Sequence, residues 1–169
     1  MLKTAFSCSS PVAIRYPKGA GVGVDTGGPL TEIDIGQAEV IKEGRDVNMI
    51  AIGSMVYPCM EAAEILNKEG INAGLINARF AKPVDEKLLS DIIAKTKNIV
   101  TVEENSIAGG FGSAVMESIE KNKLCKNVNI KCIGLPDKFI EHGNRKELLK
   151  KYGLDAKGIA ASVKEWLKG

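Results

Sequence analysis

The chain has 169 residues and a mass of 18.1 kDa, enough for one domain with a real core, or for one domain plus a stretch of a neighbour. Its 44% hydrophobic and 26% charged residues are globular proportions, and no apolar run approaches the roughly 18 residues of a membrane span, which excludes membrane-spanning and disordered chains. Lys plus Arg is 23 against 21 Asp plus Glu, with the signs interleaved, so neither nucleic acid nor a membrane is an expected partner. No apolar stretch long enough for a signal peptide precedes Cys8, and Cys8, Cys59, Cys125 and Cys132 form neither a CxxC nor a zinc spacing. They read as small buried hydrophobes of a cytoplasmic protein.

Residues 11–16, Pro-Val-Ala-Ile-Arg-Tyr, predict a short strand that Pro17 stops, because proline cannot donate to a ladder. The following stretch holds Gly19, Gly21, Gly23, Gly27 and Gly28 and has a connector's composition. A lone strand ahead of a connector has no partner, so three parts are expected: residues 1–18 as the end of a preceding domain, 19–35 as a Gly-rich linker, and 36–169 as the domain itself. Ala38-Glu39-Val40-Ile41 and the run 47–52 predict two strands joined as a hairpin across the turn at 42–46. A helix to about Lys68 follows from the stripe Val56, Met60, Ala63 and Leu66, with Pro58 in its first turn and Gly70 at its end.

Ala73 to Asn77 predicts the next strand, and Asp85 caps a helix in which Leu88, Leu89, Ile92 and Ile93 recur at helical spacing. Asn98 to Val102 reads as a buried strand. Gly109-Gly110-Phe111-Gly112 then opens a helix through Ala114, Val115 and Ile119, and Val128 to Ile133 supplies a further strand. Leu148 and Leu149 mark a short helix, and Ile159, Val163, Trp166 and Leu167 a last amphipathic one against the sheet. Strands alternating with helices need right-handed crossovers, so the expected class is α/β, a three-layer α/β/α sandwich around an about five-stranded, mostly parallel sheet with one antiparallel edge strand. Ligands of such sheets lie beyond the carboxyl ends of the strands, here Gly53-Ser54, Arg79-Phe80, Glu103-Glu104-Asn105 and Gly134-Leu135-Pro136-Asp137.

Five features carry candidate chemistry. The Gly109 to Ser113 loop before a helix has the free amides that cradle phosphate, but it is neither GxGxxG nor a P-loop and lacks a following lysine, which favours a tight turn that brings helix and sheet together. Glu103 and Glu104 are adjacent carboxylates with acid/base potential; consecutive strand residues point to opposite faces, which favours a helix cap or a solvated or subunit-facing group. His142, the only histidine, lies in a polar turn without a motif-placed nucleophile, and Arg79 at a strand end reads as structural. Arg15, followed by Lys18, has the fork and the charge to hold a phosphate, in a segment whose site would have most of its walls elsewhere. No residue is assigned a catalytic, cofactor-binding or metal-binding role.

The segments Pro11 to Gly19, Ile35 to Val40, Asn77 to Glu86, Val102-Glu103-Glu104-Asn105, Gly109 to Val115 and Gly134 to Phe139, taken in order, resemble the C-terminal part of the 1-deoxy-D-xylulose-5-phosphate synthases nearly from end to end. Single pieces, such as Val-Glu-Glu and Gly-Gly-Phe-Gly, also resemble transketolases and the β subunits of 2-oxoacid dehydrogenases. The resemblance implies a transketolase C-terminal domain that supports a middle domain and a homodimer, within an enzyme that uses thiamine diphosphate and Mg2+ to join pyruvate to glyceraldehyde 3-phosphate, a step toward isoprenoids, thiamine and pyridoxal. It further implies that the cofactor is held by N-terminal and middle domains absent from these residues, none of it by this chain, which alone is then inactive. Of the family's substrate contacts only the arginine of Arg-Tyr-Pro carries over, onto Arg15, as a holder of the substrate phosphate. Lys18 stands where the family commonly has a second arginine, keeping the charge and losing the fork. The alternatives are the matching domain of a transketolase or 2-oxoacid dehydrogenase subunit, and a free-standing dimerisation or interaction module.

Overall fold

Val47–Ala51 (β2) is buried at all five positions, as a strand covered on both faces must be. Successive side chains point to opposite sides, Val47, Met49 and Ala51 into one core and Ile50 into another. The computed structural model describes residues 1–24, 27–124 and 128–169; the reading of Cys125 as a buried hydrophobe lies outside the described residues. On its two edges β2 pairs in parallel with Ala73–Asn77 (β3) and with Asn98–Ser106 (β4), and β4 pairs in parallel with Asn129–Leu135 (β5). Glu39–Lys42 (β1) closes the other side, antiparallel to β3, giving the order β1-β3-β2-β4-β5.

The expected α/β class, a five-stranded and mostly parallel sheet with one antiparallel edge strand between helices, is what the chain adopts. The expected hairpin is not. β2 has both edges filled by parallel neighbours, so β1 passes to the outer side of β3 in the register Glu39 to Asn77 and Val40 to Ile76. The turn makes this crossing through Gly44, where a Cβ would lie 2.1 Å from the Gly74 nitrogen. Asn48 pins the same turn: its Oδ1 accepts from the Gly44 amide at 2.9 Å and its Nδ2 donates to the Gly44 carbonyl at 3.0 Å.

Val56–Lys68 (α2) and Ala156–Lys168 (α6) cover one face, burying Cys59, Leu66, Ile159 and Val163 against Met49, Val100 and Val102. Glu86–Lys95 (α3) and Phe111–Lys121 (α4) cover the other, over Ile50, Ile76 and Ile99. The local signals act as read: Asp85 caps α3 by accepting from the Leu88 amide at 2.9 Å, and Gly70, at φ +85°, follows α2. Asp85 also accepts from the Ala38 amide at 3.0 Å, tying the start of β1 to α3.

Residues 11–16 form no strand. Bounded by Pro11 and Pro17, neither of which can donate to a ladder, they pair with neither outer edge of the sheet, and the regular element of this region is a short helix, Leu2–Ser7 (α1), which sequence reading missed. α1 docks on residues 30–33, where the Thr4 hydroxyl accepts from the Ile33 amide at 2.8 Å and Lys3 Nζ donates to the Leu30 carbonyl at 2.8 Å. The helix marked by Leu148 and Leu149 is Arg145–Lys151 (α5), capped by Asn144. Among the described residues no helix is long and apolar enough to cross a membrane.

Candidate functional site

β4 runs past Val102 to Ser106, longer than read, and its last turns carry the two adjacent glutamates outward to the carboxyl rim of the sheet. Their side chains part to opposite faces, as strand geometry requires. Glu103 turns in and is only 2% exposed. Its carboxylate accepts from the Phe111 amide at 2.7 Å and the Gly112 amide at 2.8 Å, the first free N–H groups of α4. Gly110 at the helix entrance has no side chain to cap with, so a carboxylate from the neighbouring strand supplies the anion that the helix N-terminus favours.

This arrangement settles the Gly-rich loop. Gly109 donates to Ser113 Oγ at 3.0 Å, Gly110 to the Ile107 carbonyl at 3.3 Å, and the next two amides to Glu103. All four amides are engaged, so the loop is the tight turn rather than a phosphate cradle. A Cβ on Gly112 would lie 2.8 Å from both Cys132 Sγ and Thr101 Oγ1, which is why glycine brings α4 close to the sheet.

Glu104 turns the other way and gathers three other segments. Its Oε2 accepts from Ser54 Oγ at 2.6 Å, and both carboxylate oxygens accept from the Arg145 fork, Nε donating to Oε1 at 2.6 Å and NH2 to Oε2. Its main-chain carbonyl accepts from Arg15 NH2 at 3.2 Å. Burial works to raise the Glu104 pKa, but the hydrogen bonds from Arg145 and Ser54, with the positive charges of Arg145 and Arg15, together outweigh it and hold the carboxyl below its ordinary 4.5. The bond to Glu104 in turn raises Arg145.

The rim thus brings together Ser54, Glu104 and Arg15, and adds Arg145, which sequence reading passed over. A signal was present: an arginine in the first turn of a helix faces the positive end of the dipole and calls for a compensating carboxylate. The remaining candidates lie apart. His142 is exposed in a bend, and Lys18 is exposed. Arg79, at φ +56°, pairs with Glu39 of β1 at 2.8 Å and fastens the edge strand, in keeping with its structural reading. Cys59 is sealed in the core, where burial pushes its thiol up to about 12.

The residues present do not fit a diphosphate and its metal ion. The Gly-rich entrance of α4 is closed by Glu103, and among the described residues no group of three or more His, Cys, Asp or Glu side chains is placed to hold a cation.

Comparison with known proteins places the fold in a family. A family model described as the transketolase C-terminal domain matches residues 36–159. The chain belongs to the transketolase C-terminal domain family. This domain is 46% identical over 163 residues to the 1-deoxy-D-xylulose-5-phosphate synthase of Halothermothrix orenii, covering 96% of the chain and 26% of that protein. It is 50% identical over 154 residues to the synthase of Desulforudis audaxviator, covering 91% of the chain and 24% of that protein. The chain therefore spans about a quarter of the length of the curated relatives it matches. The resemblance carried by its motifs is borne out. Among solved structures, a split-gene transketolase described as an inactive beta4 tetramer is 36% identical, with a TM-score of 0.74 over 82% of this chain and 44% of that one. A transketolase from Campylobacter jejuni, 19% identical at a TM-score of 0.55 over 82% of this chain and 20% of that one, shares the fold.

Proposed function

We propose that the chain serves as the C-terminal quarter of a 1-deoxy-D-xylulose-5-phosphate synthase, a transferase that decarboxylates pyruvate and joins the two-carbon unit to glyceraldehyde 3-phosphate. The observation that carries this reading is the match to relatives of that name over nearly the whole chain, 46% identical across 96% of it. Thiamine diphosphate and Mg2+ supply the carbanion chemistry in such an enzyme, and on this reading other domains hold them, since the rim here is closed by its own side chains. Residues 1–18 belong with the preceding middle domain and 19–35 connect it to the domain that follows. The domain backs the middle domain and the homodimer, and Arg15 holds the phosphate of the aldehyde substrate, a role suited to a guanidinium with one donor on the Glu104 carbonyl and others to offer.

The chain alone is expected to be inactive. The split-gene transketolase relative, whose name records an inactive tetramer, supports that expectation. The test is a turnover assay with pyruvate, glyceraldehyde 3-phosphate, thiamine diphosphate and Mg2+. The purified 169 residues are compared with the same residues joined to the N-terminal three-quarters of a synthase. Product from the joined protein and none from the chain is the expected pair of results. Turnover by the chain alone refutes the reading, as does a folded joined protein that accepts a lipoyl group or a transketolase substrate instead.

A further inference from the structure

Four segments far apart in sequence meet at the end of β4, and the way they divide the hydrogen bonds of Glu104 is specific. The carboxylate is taken up by the Arg145 fork and the Ser54 hydroxyl. Arg15, 89 residues away in the chain, receives only the neutral main-chain carbonyl, at 3.2 Å, although it lies within the electrostatic reach of the same carboxylate. An uncommitted carboxylate beside an arginine forms a two-point ion pair with it, which would remove Arg15 from service as an anion binder.

We propose that Arg145 and Glu104 are a positioning pair for Arg15: the Glu104 carbonyl fixes the guanidinium at the rim, while the Arg145 fork occupies the carboxylate, so that the charge of Arg15 stays available to the anionic end of the substrate. The inference rests on the reading of Arg15 as a phosphate holder. It gives the C-terminal domain a part in substrate recognition without placing any of its own carboxylates on the substrate. Lys18 increases the dependence on Arg15, because an ammonium cannot replace a two-point contact.

The test uses the complete synthase carrying this chain, assayed with glyceraldehyde 3-phosphate and, separately, with unphosphorylated glyceraldehyde. In Arg145→Ala the freed Glu104 carboxylate captures Arg15, and KM for the phosphorylated aldehyde is expected to rise about tenfold, with kcat and KM for glyceraldehyde moving less than about twofold. Adding Glu104→Gln to that variant removes the competing charge but leaves the carbonyl, and should bring KM back to within about threefold of the parent. A merely structural role predicts the reverse, since a second lesion at a packed site compounds the first. Far-UV circular dichroism and the melting temperature report folding, and Arg145→Gln, which keeps the stem, replaces the alanine variant if that one does not fold.

The pair is refuted if Arg145→Ala leaves KM for glyceraldehyde 3-phosphate unchanged, if both aldehydes shift alike, or if the double variant is no better than the single. Arg15→Ala separates this failure from that of the underlying reading. If it raises KM for the phosphorylated aldehyde while Arg145→Ala does not, only the pair falls; if it has no effect on that KM, the phosphate role of Arg15 falls and the pair with it.

Discussion

Replacing Glu103 tests how the α4 entrance is built. Its carboxylate receives two main-chain N–H groups, at 2.7 and 2.8 Å, in a site only 2% exposed, and Gly110 offers no substitute cap. Hydrogen bonds to a charged acceptor contribute about 1.5–3 kcal/mol each, and water entering the vacated space recovers part of the sum, so Glu103→Ala is expected to cost about 3–5 kcal/mol. Glu103→Gln keeps one acceptor and turns an amide donor toward the second N–H, for about half that loss. The assay is urea denaturation of the chain, followed by far-UV circular dichroism and by the fluorescence of Trp166, the only tryptophan, which packs against the core under α6. The urea midpoint should fall with an unchanged denaturant slope, and a thermal scan with the same probes should place the alanine variant's melting temperature about 6–20 °C lower in a domain of this size. A loss below about 1 kcal/mol in Glu103→Ala would refute the cap, since an amide pair satisfied by water does not depend on the carboxylate.

The close approach of α4 to the sheet predicts that Gly112→Ala costs about 1–3 kcal/mol in the same assay, because its Cβ would meet Cys132 Sγ and Thr101 Oγ1 at 2.8 Å; an unchanged midpoint would show that the helix moves off freely. Cys59, fully buried and with its thiol pushed up to about 12, should stay unmodified by a maleimide in the native chain and react once urea unfolds it, as peptide mapping would show. The folded pKa of Glu104 lies below its ordinary 4.5, so the rim cluster contributes stability in full above that pH and loses it as pH falls through the depressed value. The stability gap between the parent and Glu104→Gln should therefore shrink in acid, and a gap that stays constant from about pH 7 to about pH 3 would refute the ionic character of the cluster.

Much of the fold was legible because its signals are local. The helix 56–68, the cap Asp85 and the strand 73–77 each depend on neighbours within a few residues and stand where the pattern put them. Of the stripe, Val56, Ala63 and Leu66 are buried, while Met60 is exposed and Cys59 and Ala62 complete the buried face. The expected hairpin failed for a reason that is not local. That residues 38–41 and 47–52 are strands is local, but which edge each one finds is settled by competition, and β3 and β4 fill both edges of β2. The stretch 11–16 has strand composition but pairs with neither outer edge of the sheet, since composition alone does not supply a partner.

The site divides in the same way. The adjacency of Glu103 and Glu104, and the period of two that sends them to opposite faces, are properties of the sequence alone, as are the glycines of the α4 entrance and the family motifs. What each carboxylate meets was decided only in three dimensions. Glu103 reaches amides of the helix that follows it, while Glu104 gathers Ser54, Arg145 and Arg15 from segments 41 to 89 residues away. Contacts at that separation depend on the order of strands in the sheet, because only the placement of β4 beside β2 and β5 brings their carboxyl ends to one rim, and no local pattern encodes that order.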